Sequence, residues 1–337
     1  MQAAQQDLQA IHPWVQEGLQ QIRAGVIFLG TGIDWHQTSH YAQVAEELGY
    51  DSFWVPDHPL LMPDCWAQLA ALAAITRKIR LGPLVNCIFY RSPLALARAA
   101  SDVDRWSQGR LVLGLGIGSS EFEFAQLGIP FLRTRERQEA LEEVIQILKG
   151  VWSGSPFTFT GKHFQIPQVQ LAFGPVQQPH IPLMIAGGGE RVTLRQVAQY
   201  ADASNFGSHV EIDDVARKNN VIATHCQTFG RPSTAVLRTL GVVPLLLGKT
   251  QAEAEAKREL IPPRMRSIVD ATAKVMTVEA ARDYYRALVG ADMQYFIIAA
   301  APDDIETVQL FKEQVLPAIS SEFHWISCLD QVNSAIL

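Results

Sequence analysis

The stretch Gly49-Tyr-Asp-Ser-Phe-Trp-Val-Pro-Asp-His58 decides how the rest of the chain is interpreted. Residues 51–55 are rich in aromatic and β-branched types, which favour a strand, and Gly49 and Pro56 punctuate its two ends. Asp57 and His58 follow directly, so a carboxylate and an imidazole are expected at the carboxyl end of this strand. Chemistry collects at that edge in a barrel or an open sheet of parallel strands. The pair therefore predicts an active site, although an exposed turn with an incidental histidine would have the same sequence.

Around this strand, apolar runs and helical patterns alternate along the chain. Repeated strand–helix units of this kind make right-handed crossovers and a parallel sheet. The sequence therefore predicts an α/β fold, a (β/α)₈ TIM barrel with insertions after the fourth and seventh strands. Strands are predicted at 23–29, 51–55, 79–85, 110–116, 181–186, 202–206, 235–247 and 293–299. Residues 1–22 are assigned to an extension, 23–320 to the barrel domain and 321–337 to a tail.

The two predicted insertions differ in composition. After the fourth strand, residues 119–133 are predicted to form a loop, followed by a long helix and by a hairpin that turns at Gly161-Lys162. After the seventh strand, residues 253–274 are charged and are interrupted by Pro262-Pro263. Because loops at this edge of a barrel build active sites, we expect this segment to be a mobile lid.

Composition argues against several classes of partner. The 337-residue chain has a net charge of -6 and no basic stripe, which argues against nucleic acid. Its four cysteines are scattered, without the spacing of a zinc site or a disulfide framework, and indicate a reducing compartment. No apolar run is long enough to span a bilayer, and the N-terminus lacks a signal-peptide pattern. We expect a cytoplasmic homo-oligomer, a dimer, that acts on a small molecule without metal, membrane or nucleic acid.

Two glycine-rich segments end predicted strands. Gly114-Leu-Gly-Ile-Gly118 follows the fourth strand, where glycines either let a ligand approach the backbone or form an ordinary tight turn. Its spacing does not match a dinucleotide fingerprint, which argues against a Rossmann dehydrogenase. Gly187-Gly-Gly-Glu-Arg191 follows the fifth strand and is predicted to open a helix. Free N–H groups there would bind a phosphate with help from Arg191, and packing alone is the alternative.

The histidines point to the second strand. Of the nine in the chain, His58 is the one that follows a predicted strand beside an acid. His36 and His40 are expected to be surface or packing residues, and His209 is a weaker candidate for the barrel mouth. No histidine or cysteine spacing indicates a metal site.

Several of these segments together resemble the bacterial luciferase-like family. The resemblance extends from about Val26 to Leu316. It is carried by residues 49–58, by Ile79-Arg-Leu-Gly-Pro-Leu-Val85 with Arg91-Ser-Pro93, by residues 104–118 with Glu123, and by residues 185–195 with Tyr200-Ala-Asp202. It implies a barrel that binds FMN or the deazaflavin coenzyme F-420 and that transfers hydride or activates oxygen. The Asp-His pair is similar to that of the branch that uses F-420.

The resemblance also implies roles for individual residues. His58 would give or take a proton near the cofactor ring, and Asp57 would hydrogen-bond the cofactor. A non-proline cis peptide that props the ring in that branch would fall at Leu84-Val85. The triple glycine would hold the phosphate, while Gly116 and Gly118 would lie along the ring or the ribityl chain. The implied cofactor-binding residues are Leu84, Val85, Asn86, Gly116, Gly118, Ser119, Ala186, Gly187, Gly188, Gly189 and Arg191.

Three functions remain open at this point. The first is an oxidoreductase that uses a flavin or F-420 for hydride transfer to or from a small organic substrate. The second is an FMN-dependent monooxygenase that uses reduced flavin and oxygen, and the third is a non-catalytic flavin-binding protein. Ser119 stands where some sugar-phosphate dehydrogenases of the branch have a second catalytic glutamate, which argues against a sugar phosphate. A cavity plugged by residues 122–131 would favour the inert binder, and an open one an enzyme.

Overall fold

A computed structural model describes residues 11–30, 34–207, 210–261, 263, 266, 270 and 272–321. Its centre is a parallel barrel, and this confirms the predicted fold class. The eight strands of the barrel lie close to their predicted positions because each is an apolar run buried on both faces. They are Arg23–Phe28, Ser52–Val55, Arg80–Pro83 continued by Asn86–Cys87, Leu113–Gly116, Leu183–Ala186, Ala203–Phe206, Leu237–Gly248 and Tyr295–Ala300.

Pairing of the strands follows the chain around the barrel. The first strand pairs with both the second and the eighth, and every pairing between barrel strands is parallel. The third strand is interrupted at Leu84-Val85, so its first part pairs with the second strand and its last part with the fourth. A bridge between Leu81 and Leu111 adds to this seam. The sheet is therefore nearly closed, and all the carboxyl ends of its strands lie at one mouth.

Helices surround the barrel and return the chain to its amino-terminal end. Local signals explain their starts; for example, Ser92 Oγ accepts the N–H of Ala95, and Pro93 occupies the first helical position. The helices are Pro13–Gly18, Trp35–Glu47, Cys65–Ile75, Pro93–Trp106, Glu121–Gln126, Thr134–Trp152, Thr193–Tyr200, Ile212–Thr228, Gln251–Ala256, Val278–Gly290, Ile305–Leu310 and Leu316–Ser320, with a π-turn at Phe311–Val315. In the described part of the chain, none of them has the length and apolarity to cross a membrane.

The segment after the fourth strand contains a helix that the sequence interpretation missed. Residues 119–133 were expected to be a loop, but Glu121–Gln126 is helical. The signal was present, because Ser120 Oγ accepts the N–H of Glu123, three residues on, as an N-cap does. Further along, strands Phe157–Thr160 and Gln165–Val169 form the predicted antiparallel hairpin.

The segment after the seventh strand begins with packed structure. Gln251–Ala256 is a helix, and a 3₁₀ turn follows at Lys257–Leu260. Lys257 is buried, and its Nζ donates to Asp304 Oδ1 at 2.7 Å and to Thr307 Oγ1 at 3.0 Å. This fixes the start of the segment to the chain after the eighth strand. Residues 262, 264–265, 267–269 and 271 lie outside the described residues, so the lid remains a prediction.

The amino-terminal end of the barrel is covered by the short helix Pro13–Gly18. Trp14 and Val15 are buried and pack in one apolar cluster with Leu237, Tyr295 and other side chains inside the barrel. Residues 13–18, which the sequence placed in an extension ahead of the barrel, therefore close one of its ends.

Candidate active site at the carboxyl ends of the strands

Asp57 is buried at the end of the second strand, and its charge is balanced by an arginine. Arg91 Nη1 donates to both Asp57 oxygens at 2.9 and 3.2 Å, and the backbone N–H of Cys87 donates at 3.3 Å. Burial acts to lower the pKa of Arg91, but hydrogen bonds to Asp57 and Asp64 outweigh burial and raise this pKa. Arg91 thus stays charged, and the two aspartates hold it in place.

His58 is held by Glu123. Its Nδ1 lies 3.0 Å from Oε2 of Glu123, while no hydrogen bond joins it to Asp57. Glu123 is buried, whereas 45% of the His58 side chain is exposed. Tyr90 donates its hydroxyl to the same Glu123 oxygen at 3.2 Å, and burial raises the pKa of Tyr90. A carboxylate acceptor selects the tautomer with the proton on Nδ1, so Nε2 is the nitrogen available at the mouth.

The interruption of the third strand shapes the wall beside this pair. The Leu84-Val85 peptide is cis, at the position that the resemblance implied. A Cβ atom at Gly116 would lie 2.7 Å from Cγ2 of Val85, and one at Gly114 would lie 3.1 Å from its Cγ1. These two glycines of the fourth strand therefore make room for the Val85 side chain.

Two more of the implied cofactor residues have identifiable surroundings. Gly118 has a φ of +74°, and a Cβ atom there would lie 2.6 Å from the Phe124 ring. The structure thus gives Gly118 a packing role, and a contact of Gly116 or Gly118 with a cofactor stays a prediction. Asn86 is fully buried and accepts the indole N–H of Trp66 at 3.0 Å. Within the described residues its Nδ2 has no partner. Ser119 is exposed.

The triple glycine lies where predicted, after Ala186 at the end of the fifth strand, but it does not open a helix. The helix begins at Thr193, because a turn at residues 190–192 comes first. The prediction of a helix N-terminus at Gly187 is therefore wrong. Among the described residues, no protein acceptor is found for the N–H groups of Gly188, Gly189 or Glu190. Such a row of free donors can still bind an anion.

A lysine that the sequence did not indicate lies beside these donors. Lys218, from the helix Ile212–Thr228, donates through Nζ to the carbonyl of Gly188 at 2.6 Å. It also lines a cavity of about 350 Å³ together with Gly187, Gly188, Gly207, Val210 and Asp214. Arg191 is exposed and lines a neighbouring cavity of about 520 Å³. An ammonium group next to free backbone donors is suited to a phosphate.

Of the other histidine candidates, two are described by the structure. His36 and His40 are exposed on the helix Trp35–Glu47, as expected. His209 lies outside the described residues.

Strand order, mouth geometry and sequence comparison agree on one class of protein. The chain belongs to the luciferase-like monooxygenase family, whose model matches residues 16–302. This confirms the resemblance drawn from the sequence.

Solved structures show the same fold at low sequence identity. An F-420-dependent tetrahydromethanopterin reductase from Methanopyrus kandleri superposes with a TM-score of 0.76 and 19% identity, over 89% of this chain and 99% of that one. An F-420-dependent secondary alcohol dehydrogenase gives 0.77 and 18%, over 88% and 99%. A monooxygenase from Streptomyces bottropensis gives 0.74 and 20%, over 88% and 99%. Similar proteins thus include both F-420 enzymes and monooxygenases.

Proposed function

We propose that the chain is an oxidoreductase that binds a flavin or the deazaflavin coenzyme F-420 and transfers hydride to or from a small organic substrate beside His58. The observation that carries the proposal is the His58–Glu123 pair, in which a half-exposed imidazole is held by a buried carboxylate at the barrel mouth. A histidine suits proton transfer at neutral pH because its unperturbed pKa is about 6.5.

The residues present fit such a cofactor. The free N–H groups of Gly188, Gly189 and Glu190, with Lys218 beside them, would hold its phosphate. The unpartnered Nδ2 of buried Asn86 is a hydrogen-bond donor next to the Leu84-Val85 wall, where the ring would lie. Asp57 would act by keeping Arg91 and the backbone of Cys87 in position.

The chemistry then divides between the cofactor and the protein. The bound cofactor supplies the acceptor or donor of a hydride. In the direction of oxidation, Nε2 of His58 would take the hydroxyl proton of an alcohol while the carbon gives up its hydride. Glu123 holds the ring through Nδ1 and stabilises the imidazolium that forms.

Two observations bear on the alternative functions, a non-catalytic flavin-binding protein and an FMN-dependent monooxygenase. The segment that would plug the cavity in a non-catalytic binder leaves Phe122 65% exposed, while Phe124 and Phe131 pack against each other with ring centroids 5.0 Å apart. This favours an enzyme over an inert binder. The family description, a luciferase-like monooxygenase, supports the FMN-dependent monooxygenase as the second candidate.

Titration of the purified full chain with FMN and with F-420, followed by absorbance, tests the proposal. Saturable binding of one of them is expected. A Cβ atom at Gly188 would lie 3.2 Å from Lys218 Nζ, so Gly188→Asp puts a carboxylate against the lysine and the phosphate. We expect it to weaken binding by at least about tenfold, the value of one charge-assisted contact.

Gly174→Asp is the matched control, because a Cβ atom at Gly174 meets nothing within 4 Å. Its affinity should equal that of the unaltered chain. Absence of binding by both cofactors would refute the proposal, and equal affinity in the Gly188→Asp variant would place the phosphate elsewhere. Incorporation of oxygen from O₂ into an organic substrate in the presence of reduced FMN would move the monooxygenase ahead.

A further inference from the structure

Exposed apolar side chains are concentrated at the mouth of the barrel. Ten large hydrophobic residues are exposed in the described part of the chain, and seven of them lie in segments that follow a barrel strand. These seven are Trp35, Leu60, Leu61, Phe122, Leu127, Val192 and Leu260. Single exposed apolar residues are ordinary, but a concentration of them marks a surface that something apolar covers.

Three of the seven adjoin the His58–Glu123 pair. Leu60 is 41% exposed and Leu61 64% exposed, in a turn whose Leu61 N–H donates to the His58 carbonyl at 2.9 Å. Phe122, 65% exposed, immediately precedes Glu123. Exposed hydrocarbon side chains therefore lie next to both members of the pair along the chain.

Charge on this side of the mouth argues against an anionic substrate. The segments after the first three strands, residues 29–34, 56–64 and 88–92, contain three aspartates and one basic residue apart from His58. That residue, Arg91, is only 16% exposed and is held by Asp57 and Asp64. Across the mouth, on the side that would hold the cofactor phosphate, Arg191 is exposed and has no carboxylate partner among the described residues, while Lys218 lies 3.6 Å from Glu190.

We propose that the molecule that binds beside His58 is an uncharged, largely apolar alcohol or carbonyl compound, whose hydrocarbon part covers Leu60, Leu61 and Phe122. The alcohol or carbonyl group rests on the proposed hydride transfer, whereas the apolar, uncharged character rests on the exposure and the charges alone. A substrate with a phosphate or carboxylate near its reacting carbon is excluded.

Binding to the cofactor-loaded protein tests this without turnover. Straight-chain methyl ketones of increasing length are titrated, and the absorbance of the bound cofactor and ligand-observed NMR report occupancy. Each additional methylene should tighten binding about fourfold while it still reaches apolar surface. Dihydroxyacetone phosphate, a carbonyl compound with an anionic group, should not bind saturably.

Two serine variants locate the surface. Phe122→Ser should remove most of the gain with chain length. Phe173→Ser is the matched control: its ring is 67% exposed, and it lies under Arg105 at the opposite end of the barrel. This variant should bind the ketones like the unaltered chain.

The outcomes separate this inference from the proposed function. Cofactor binding together with tight binding of dihydroxyacetone phosphate, or with no dependence on ketone length, overturns the substrate class and leaves the proposed function standing. If neither cofactor binds, the proposed function fails. The same ketone series, titrated into the protein alone, still shows whether the apolar surface binds a hydrocarbon chain. Ketones that fail to bind, with a lower oligomeric state in Phe122→Ser by sedimentation, would identify an interface between copies and overturn the inference.

Discussion

The two ends of the second strand carry similar chemistry for different purposes. Asp51 precedes the strand and Asp57 follows it, and arginine balances the charge of each. At the amino-terminal end, Asp51 accepts from Arg80 at 2.6 Å, Arg23 at 3.0 Å and Tyr295 at 2.7 Å. The helix Pro13–Gly18 packs beside that network, and its Trp14 also donates to Asp51, while Arg23, Asp51 and Arg80 line a cavity of about 450 Å³.

At the carboxyl end of the strand, the residue that follows Asp57 has an exposed side chain. Asp57 and Arg91 are largely buried, but His58 stands next in the chain with a half-exposed side chain, and no partner for its Nε2 is found among the described residues. The comparison shows that ion pairing does not distinguish a structural end from a functional one. What distinguishes them is position: at the carboxyl end of the strand, where barrel chemistry collects, the network is followed by the half-exposed imidazole of His58. The predictions below test this distinction.

The largest expected effect is a loss of turnover when His58, at the carboxyl end of the second strand, is replaced. His58→Ala should lower turnover by about 10²–10⁴, because the substrate loses its proton partner. Cofactor affinity and the unfolding midpoint should change little, since the imidazole is half-exposed. Turnover is measured from the change in cofactor absorbance. His36→Ala, on the exposed face of the helix Trp35–Glu47, is the control and should behave as the unaltered chain does. If both variants turn over equally, His58 is not the acid–base group.

Removing Asp51, at the amino-terminal end of the second strand, should lower the stability of the fold and leave turnover unaffected. Asp51→Ala removes the more buried of the two carboxylates that Arg23 and Arg80 share, and the half-exposed Glu17 remains. Removing one partner of a buried ion pair costs up to about 3–5 kcal/mol. Urea unfolding measures the loss. Asp102→Ala is the comparison, because Asp102 pairs with Arg98 at 3.9 Å on the surface, where a pair contributes about 0–1 kcal/mol. Equal losses in the two variants would contradict the structural role of Asp51, as would a loss of cofactor affinity in folded Asp51→Ala.

Glu123 should have a smaller effect on turnover than His58, since it acts through the imidazole. Glu123→Gln removes a charge-assisted hydrogen bond, worth about 1.5–3 kcal/mol, and should slow turnover by about 10- to 100-fold. In the double variant His58→Ala with Glu123→Gln, turnover should be no lower than in His58→Ala alone, because the shared contact is already lost. Additive effects of the two changes would show that Glu123 contacts the substrate or cofactor directly.

The local sequence was sufficient to predict the barrel strands and to place Asp57 and His58 in the site. The strands were predictable because continuous apolar runs bounded by glycine and proline leave few other structures. The Asp-His pair was predictable because it adjoins such a run. Its partners were not: Glu123 lies 65 residues from His58, and Lys218 lies 30 residues from Gly188. Such contacts depend on how helices pack at the mouth, which no local pattern specifies.

Two glycine-rich segments show what the local sequence leaves open. The helix start was placed at Gly187 because glycine leaves N–H groups free, yet the chain turns once more before Thr193 begins the helix. Gly116 and Gly118 were assigned to a ligand, which stays a prediction, and Val85 and Phe124 lie where their side chains would be. A glycine shows that something approaches the backbone, but its sequence does not show whether this is a ligand or the protein itself.

The smallest expected effect is in the pH dependence of stability. Asp51 and Asp104 should contribute to stability with opposite dependence on pH. Burial alone would raise the pKa of Asp51, but Arg23 and Arg80 outweigh it and lower this pKa. Its contribution is therefore complete above the unfolded value of about 3.9 and is lost as the pH falls through the folded value. The stability advantage of the unaltered chain over Asp51→Asn should shrink on acidification. Burial raises the pKa of Asp104, despite its hydrogen bonds from Gln177 and Val176.

For Asp104 the sign reverses, because its folded form holds the proton more tightly than its unfolded form. The advantage of the unaltered chain over Asp104→Asn should therefore be largest in acid and should fall as the pH rises through the folded pKa. Urea unfolding of the three proteins from about pH 3 to about pH 6, around the ordinary pKa of aspartate, measures both trends. Parallel curves for the two variants would mean that Arg23 and Arg80 do not hold Asp51 in its charged form. The two arginines would then be held at that end by Glu17 instead.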